Sequence, residues 1–407
     1  MEKKEPAAAR PESDAQEKTR IIHVAPSPVQ EARGMAPITE MTLDQLRYNF
    51  ESVVRSAAIY YPTAYNFLRE LGRGRQGIVF LAHRQGARGC ITEHALKLFD
   101  PALYRSPQEY WTDMGRIASQ ISRLQRLQSP NLMARYTYEE TYGIGYIQME
   151  AIDGLDLDRL LRKDHLDAVR NNCTAREWAK LTKPIFRVEG DRVRLQPGAA
   201  VYILRSILRG LEVLHAANFL HSDIKPANIM IDRLGTVKVV DFGRAVTIGE
   251  RVSFLLGSPL YMAPEIHRRE VGVTQSDSYS VGLVGLEMLS GQKLTDDDQI
   301  SEEGLLKLKM GLLQRLPSLL PAHVLANKDL VAILRKFIEP DPTKRHASAK
   351  DAEVGDEGLR IIDKQLVRAG LDSEYARDLS DYLSKLINIR TQRVELPPAK
   401  TAPAKGG

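Results

Sequence analysis

The chain has 407 residues, 43% of them hydrophobic, with 57 Lys and Arg against 52 Asp and Glu. That length holds one large domain with extensions, and the apolar fraction is ample for a buried core. A net charge of +5 permits acidic partners without calling for nucleic acid, and no apolar run approaches the length of a membrane span. Two isolated cysteines, Cys90 and Cys173, exclude a disulfide framework or a cysteine zinc site and point to a reducing, cytoplasmic setting. The opening Met1-Glu2-Lys3-Lys4-Glu5 has no apolar stretch behind it, so no secretory signal is expected.

In chain order, residues 1–40 are rich in Pro, Ala and mixed charge and read as a disordered tail. A T-x-x-Q capping box at Thr42 and Gln45 then opens an amphipathic helix within 41–62, with Leu43, Leu46, Phe50, Val53 and Val54 as its apolar stripe. Gly72, Gly74 and Gly77 follow in a G-x-G-x-x-G pattern. On its own that pattern equally opens a dinucleotide-binding unit, but a helix should then follow. Ile78-Val79-Phe80-Leu81 is strand-like instead, which favours a glycine turn between two strands whose backbone approaches phosphate closely. His94-Ala95-Leu96-Lys97-Leu98-Phe99 is the next strand, with one Lys among apolar residues. Tyr146 to Gly154 reads as a strand running into a turn.

Residues 164–197 read as an insertion containing a short hairpin, 185–189 and 192–195, around a Gly190-Asp191 turn. From Arg162 to Arg194 there are nine Lys/Arg against five Asp/Glu, and the alternating arginines suggest one basic face. A solvated face is the plain reading, and a docking surface for a partner the sharper one. Val201, Leu204, Ile207, Leu208, Leu211 and Leu214 then form a buried helical stripe.

The stretch 221–243 carries the chemistry. Ile229-Met230-Ile231 and Val237 to Val240 make a hairpin across Arg233-Leu234-Gly235. Asp223, Lys225 and Asn228 enter at one end and Asp241 leaves at the same end. Two carboxylates, an amide and an ammonium therefore converge, a set suited to phosphate with Mg²⁺, which takes a few protein oxygens plus phosphate oxygens.

These residues resemble the eukaryotic-type (Hanks-type) serine/threonine protein kinase family, whose catalytic loop reads H-x-D-x-K-x-x-N before a D-F-G. The handed-on pattern continues at 257–265, close to G-[TS]-x-x-Y-x-A-P-E, at 276–282, and at Asp341-Pro342-Thr343-Lys344-Arg345. The resemblance spans about residues 67–349 with its motifs in family order. It implies an α+β, two-lobed fold over 63–353: a β-rich N-lobe (63–149) and a mainly helical C-lobe (153–353) carrying the insertion. Helical segments around 359–367 and 375–387 form an appended pair within 354–392, and 393–407 reads as a disordered tail.

Carried over residue by residue, the resemblance implies ATP and Mg²⁺ as cofactors and proteins with Ser/Thr acceptors as substrates. Asp223 would orient the attacking hydroxyl and accept its proton, and Lys225 would balance charge on the γ-phosphoryl. Asn228 and Asp241 would hold Mg²⁺. Leu71, Gly72, Gly74, Gly77, Val79, Ala95 and Lys97 would surround the nucleotide, with Met149, Glu150 and Ile152 at the adenine. Glu265 would pair with Arg345, and Asp277 would brace the catalytic loop. The family also places a Glu on the helix after the Lys97 strand; counting back from Leu124 gives Gln120, with Glu109 and Asp113 earlier as carboxylate alternatives. Ser222 stands where the family usually has Arg, so activity is expected not to depend on activation-segment phosphorylation through that cation. Thr247, Ser253 and Ser258 are hydroxyls open to modification. The Lys in the H-x-D-x-K-P-x-N form and Ser258 favour Ser/Thr acceptors. A nucleotide-binding pseudokinase scaffold and a small-molecule kinase are the alternative readings.

Overall fold

The computed structural model describes residues 41–395 apart from Arg75, 251–257, Asp298 and 371–373, with backbone alone at 135–136 and 390–395. The proposed tail at 1–40, Ser253 and residues 396–407 lie outside the described residues.

Helix α1 (Leu43–Ser56) starts at the predicted box: Thr42 Oγ1 accepts from the Gln45 amide at 3.3 Å, and Gln45 Oε1 accepts from the Thr42 amide at 2.8 Å. Leu46, Phe50 and Val53 bury its apolar stripe, and Asn49 Nδ2 donates to Tyr142 O at 2.9 Å. The helix thus lies on the small lobe. That lobe is a six-stranded antiparallel sheet of β1 (Ala58–Ile59), β2 (Tyr65–Gly74), β3 (Gly77–Gln85), β4 (Ile91–Phe99), β5 (Arg135–Thr141) and β6 (Ile144–Glu150), ordered β1-β2-β3-β4-β6-β5. Helix α2 (Pro107–Leu124) is capped by Ser106, with Pro107 in its first turn, and turns Tyr110, Met114, Ile117 and Ile121 inward.

The large lobe opens with β7 (Gly154–Asp156) and α3 (Leu157–Leu160), followed by α4 (Asp164–Arg170), α5 (Ala175–Thr182), β8 (Phe186–Glu189) and β9 (Arg192–Leu195). Helix α6 (Pro197–Ala216) buries Val201, Leu204, Ile207, Leu208, Leu211 and Leu214. After β10 (Phe219–Leu220), strands β11 (Ile229–Asp232) and β12 (Val237–Val239) form the predicted hairpin, to which β7 adds a third strand; β13 (Val246–Thr247) pairs with β10. Helices α7 (Pro264–His267), α8 (Thr274–Ser290), α9 (Glu302–Met310), α10 (Leu312–Leu319), α11 (Ala322–Leu325), α12 (Lys328–Phe337) and α13 (Ala349–Val354) complete the lobe. Helix α8 is buried along almost its whole length, so it carries no amphipathic signal.

Two helices follow, α14 (Arg360–Arg368) and α15 (Tyr375–Glu395), the latter running past the expected end of the helical pair at 392. The insertion forms as a hairpin with Glu189 opposite Arg192 and Gly190 at φ 61°. Its basic face is only partly free, with Arg187 and Arg192 exposed. Arg194 is 8% exposed, donates to Ser290 O at 2.9 Å and pairs with Glu189, which also meets Arg187 at 3.1 Å. One acidic residue on the same face of the hairpin neutralises arginines on both strands.

Candidate active site

The loop 221–228 hangs between β10 and the β11–β12 hairpin, and Asp277 on α8 fixes its backbone from below. One Asp277 oxygen accepts from the His221 amide at 2.8 Å and from His215 Nε2 at 2.9 Å; the other accepts from the Ser222 amide at 2.9 Å. Burial pushes this carboxyl up, but the His215 hydrogen bond and charge and the His221 contacts outweigh it, so Asp277 sits below the ordinary carboxylate range. His221 is fully buried, donates from Nε2 to Val240 O at 3.0 Å and accepts the Asp223 amide at Nδ1, 3.2 Å away. That pairing fixes one neutral tautomer, and burial lowers its pKa accordingly. Ser222 takes a positive φ of 63° between these anchors, and its short side chain brings no cation to the loop.

Around Asp223 the groups converge. Its Oδ2 accepts from Lys225 Nζ at 2.8 Å and from Asn228 Nδ2 at 3.0 Å, while Oδ1 accepts from the Ser258 amide at 2.9 Å. Lys225 Nζ also reaches Ser258 Oγ at 3.0 Å. Ser258 thus belongs to the cluster itself, whereas Thr247 lies on β13 opposite Phe219. Because Asn228 spends its NH₂ on Asp223, its amide oxygen is the end it can offer a cation. The Val240 amide donates to Asn228 O at 2.9 Å, so the hairpin sets Asp241 directly beside it. One amide and one carboxylate oxygen fit Mg²⁺ shared with phosphates, and among the described residues no group of three or more His, Cys, Asp or Glu forms an all-protein metal cage.

Above this floor lies a cleft of about 730 Å³. Leu71, Gly72, Val79, Ala95, Lys97, Met149, Glu150, Ile152, Asn228 and Asp241 line it, together with Met133, Ile147 and Met230, which the sequence reading did not single out. Gly74 and Gly77 are not among the lining residues. Gly77 has a different reason to be glycine: at φ 145° a Cβ would lie 1.9 Å from Leu98 O, so β3 could not close on β4.

Lys97 is 8% exposed, and its Nζ sits 2.7 Å from Asp241 Oδ1 and 2.8 Å from Gln76 Oε1. Those are the partners seen, not the three considered on α2. Gln120 donates to Ala245 O, Glu109 accepts from the Arg105 amide at 2.8 Å, and Asp113 takes Tyr104 Oη at 2.7 Å and Arg116 at 2.9 Å. Helix α2 instead touches the chain after Asp241, where Arg116 donates to Gly243 O at 3.3 Å. Gln76 was missed because its only signal was a place inside the glycine turn.

Two further groups shape the floor beside Ser258. Glu265 and Arg345 form a two-pronged buried pair at 2.7 and 2.8 Å. Lys309 on α9, fully buried, donates to Pro259 O and Met262 O, both at 2.6 Å, and its Nζ is 2.8 Å from His267 Nε2. Burial pushes Lys309 down to about 7. No motif marked this lysine; a lone Lys in an amphipathic helix reads as surface.

The family model described as "protein kinase domain" matches residues 65–353. The chain belongs to the protein kinase family. It is 28% identical over 293 residues to the serine/threonine-protein kinase PrkC of Bacillus subtilis, covering 71% of this chain and 39% of that protein. It is 26% identical to a cAMP-dependent protein kinase catalytic subunit of Arthrobotrys oligospora, over 79% of this chain and 54% of the relative, and 30% identical to PknE of Mycobacterium bovis, over 59% and 37%. The chain spans between about two fifths and a half of the length of these relatives. Its two lobes, a curled sheet over a helical base, are the kinase fold.

Proposed function

We propose that this chain is a serine/threonine protein kinase that transfers the γ-phosphoryl of ATP to Ser or Thr hydroxyls of proteins. The observation that carries the reading is the Asp223–Lys225–Asn228–Ser258 cluster facing a nucleotide-sized cleft whose far wall presents Lys97 and Asp241. Asp223 Oδ2 orients the acceptor hydroxyl and takes its proton as the new O–P bond forms and the bond from the γ-phosphorus to the bridging oxygen of ADP breaks. Lys225, already bonded to Asp223 and Ser258, balances charge on the moving phosphoryl. Lys97 and the β2–β3 turn fix the remaining phosphates, and Met149, Glu150 and Ile152 bound the adenine. Mg²⁺, held by Asn228 and Asp241, would supply charge neutralisation on the phosphates. Positioning and electrostatics then do most of the work.

Ser222 extends the reading to regulation: with no cation there to hold a phosphorylated residue, turnover does not wait on such a modification. The free thiols Cys90 and Cys173 suit a reducing, cytoplasmic setting. A second reading, a nucleotide-binding scaffold without useful turnover, draws on one observation, that no α2 carboxylate meets Lys97. Transfer of labelled γ-phosphate from ATP to a generic protein substrate separates the two. Asp223→Asn is expected to lose at least roughly 10²-fold. Equal signal from both proteins overturns the kinase reading.

A further inference from the structure

One residue lining the cleft comes from outside the matched kinase domain. Ile387, on α15, lines the same cleft as Ile152, Gly154 and Asp156. It lies 34 residues beyond Val354's neighbour Glu353, where the match to the kinase family ends. We infer that α15 is a built-in part of the nucleotide site, with Ile387 as a specificity-determining contact and the 164–197 insertion as the seat that holds it there. This rests on the nucleotide reading of the cleft.

The seat is built from the sequence upward. Leu379, Tyr382, Leu383 and Leu386 recur at helical spacing and are all buried, so one face of α15 is committed to the large lobe. Tyr382 Oη lies 2.5 Å from His165 Nδ1 on α4, and its ring meets Phe186 of β8 edge-on at 5.0 Å. His165 Nε2 is in turn 2.9 Å from Leu160 O, which orients the imidazole. Lys385 pairs with Glu177 of α5 at 3.2 Å. Three of the four elements of the insertion thus face this helix, which gives the insertion a task that its basic composition did not suggest.

An adjoining strip of the helix is registered on the β11–β12 hairpin. Ser380 Oγ donates to Arg233 O at 2.8 Å, in the turn between β11 and β12. In the same turn Gly235 sits at φ 80°, and a Cβ there would fall 1.8 Å from Ala376 O. Any side chain at 235 would push α15 off the turn. Arg233 also bonds Asp153, by 3.2 Å from Nε to Oδ2, and Asp153 lines the cleft. The helix is therefore fixed at its N-terminal half by the hairpin and in its middle by the insertion. Its next turn carries Ile387 to the cleft mouth. An apolar side chain at this edge excludes water from one side of a bound nucleoside, and an interaction between nucleotide and helix is reciprocal: what α15 adds to nucleotide affinity, nucleotide adds to the docking of α15.

The test is calorimetric titration of the full chain with Mg·ATP, alongside steady-state transfer assays. Ile387→Glu is expected to weaken ATP binding by roughly tenfold and Ile387→Ala by roughly threefold, the scale of losing a few tens of Å² of apolar contact at a pocket edge. KM for ATP rises in step, with KM for the protein acceptor unchanged. Asn388→Glu places the same charge one residue along on an exposed position and leaves ATP affinity as in the wild type. His165→Ala, which unseats α15 without touching the cleft, weakens ATP binding in the same direction as Ile387→Ala. Unchanged ATP affinity in Ile387→Glu, with wild-type protein binding normally, overturns this inference and leaves the kinase reading standing. Wild-type protein that binds no ATP overturns both.

Discussion

Replacing Arg345 by Met tests how the acceptor side of the site is held. All five guanidinium hydrogens are engaged: Nε with Glu339 O at 2.6 Å, one terminal nitrogen with Glu265 Oε1 at 2.7 Å and Gln275 O at 3.0 Å, the other with Glu265 Oε2 at 2.8 Å and Pro340 O at 3.1 Å. The ring of Tyr279 lies 4.7 Å from the guanidinium carbon. Both partners are essentially sealed from water, with side chains 0% and 1% exposed. Arg345→Met leaves the Glu265 carboxylate with Ser276 Oγ, at 2.7 Å, as its one remaining side-chain partner. Breaking a buried pair from one side costs about 3–5 kcal/mol, because the surviving charge stays desolvated. Total stabilities are on the order of 5–15 kcal/mol, so this is a large share of the margin. With a urea slope of about 3 kcal/mol/M for a domain of this size, the unfolding midpoint should fall by about 1–1.7 M. The double variant Glu265→Met/Arg345→Met should recover much of that, since it removes the orphaned charge along with its partner. A single-variant cost below about 1 kcal/mol, or a double-variant cost equal to the sum of the two singles, refutes the reasoning.

Acid should destabilise the fold through its buried histidines. Burial and the Lys309 charge push His267 down to about 4, and burial and Lys336 do the same to His346. Above the ordinary 6.5 both folded and unfolded forms are neutral; below it the unfolded chain takes up protons first, so stability is lost as pH falls from 6.5 to 4, by up to about 2 kcal/mol per group at pH 5. His346, with neither ring nitrogen hydrogen-bonded, is the cleaner probe: His346→Leu should flatten the fall in urea midpoint between pH 7 and 5, and an unchanged slope rejects the assignment. Protein stripped by a phosphatase should keep its turnover, as Ser222 implies; complete loss of transfer activity after that treatment counts against a phosphate-independent activation segment.

Legibility in the sequence followed locality. The Thr42 cap, the β11–β12 hairpin and the Gly190-Asp191 turn were readable because a few adjacent residues settle each of them. Asp223, Asn228 and Asp241 could be singled out because a short hairpin brings its two outer ends together, and Lys97 because its strand resembles the kinase family's lysine strand. Gln76, Lys309 and Ile387 could not. Each acts through a contact with a segment distant in sequence, and none stands in a pattern that differs from an ordinary loop or helix. The basic face at 187, 192 and 194 was legible only in part for the same reason: Arg187 and Arg192 are exposed as a solvated face would be, while the packing of Arg194 on Ser290 and its pairing with Glu189 is a tertiary fact.

Lys97 brings these strands together. A carboxylate on α2 would tie the position of that helix to the charge of the lysine. Here α2 is held by other means: its apolar face, Tyr110 Oη accepting from the Gly145 amide at 2.8 Å, and the contacts of Arg116 and Gln120 with backbone carbonyls after Asp241. The lysine is left to pair with Asp241 across the cleft, a 2.7 Å contact that neutralises both groups while keeping them where phosphate and cation would come. On the kinase reading, Lys97 would offer its ammonium to phosphate and Asp241 would hold Mg²⁺, so neither charge would be left bare with nucleotide bound. Helix α2 is not needed for that arrangement, because the position of Lys97 is set by the β4 register opposite Val79 and Ile147. The missing α2 carboxylate is therefore a change in how the small lobe is coupled to the segment after Asp241, not a gap in the charges that face the phosphates.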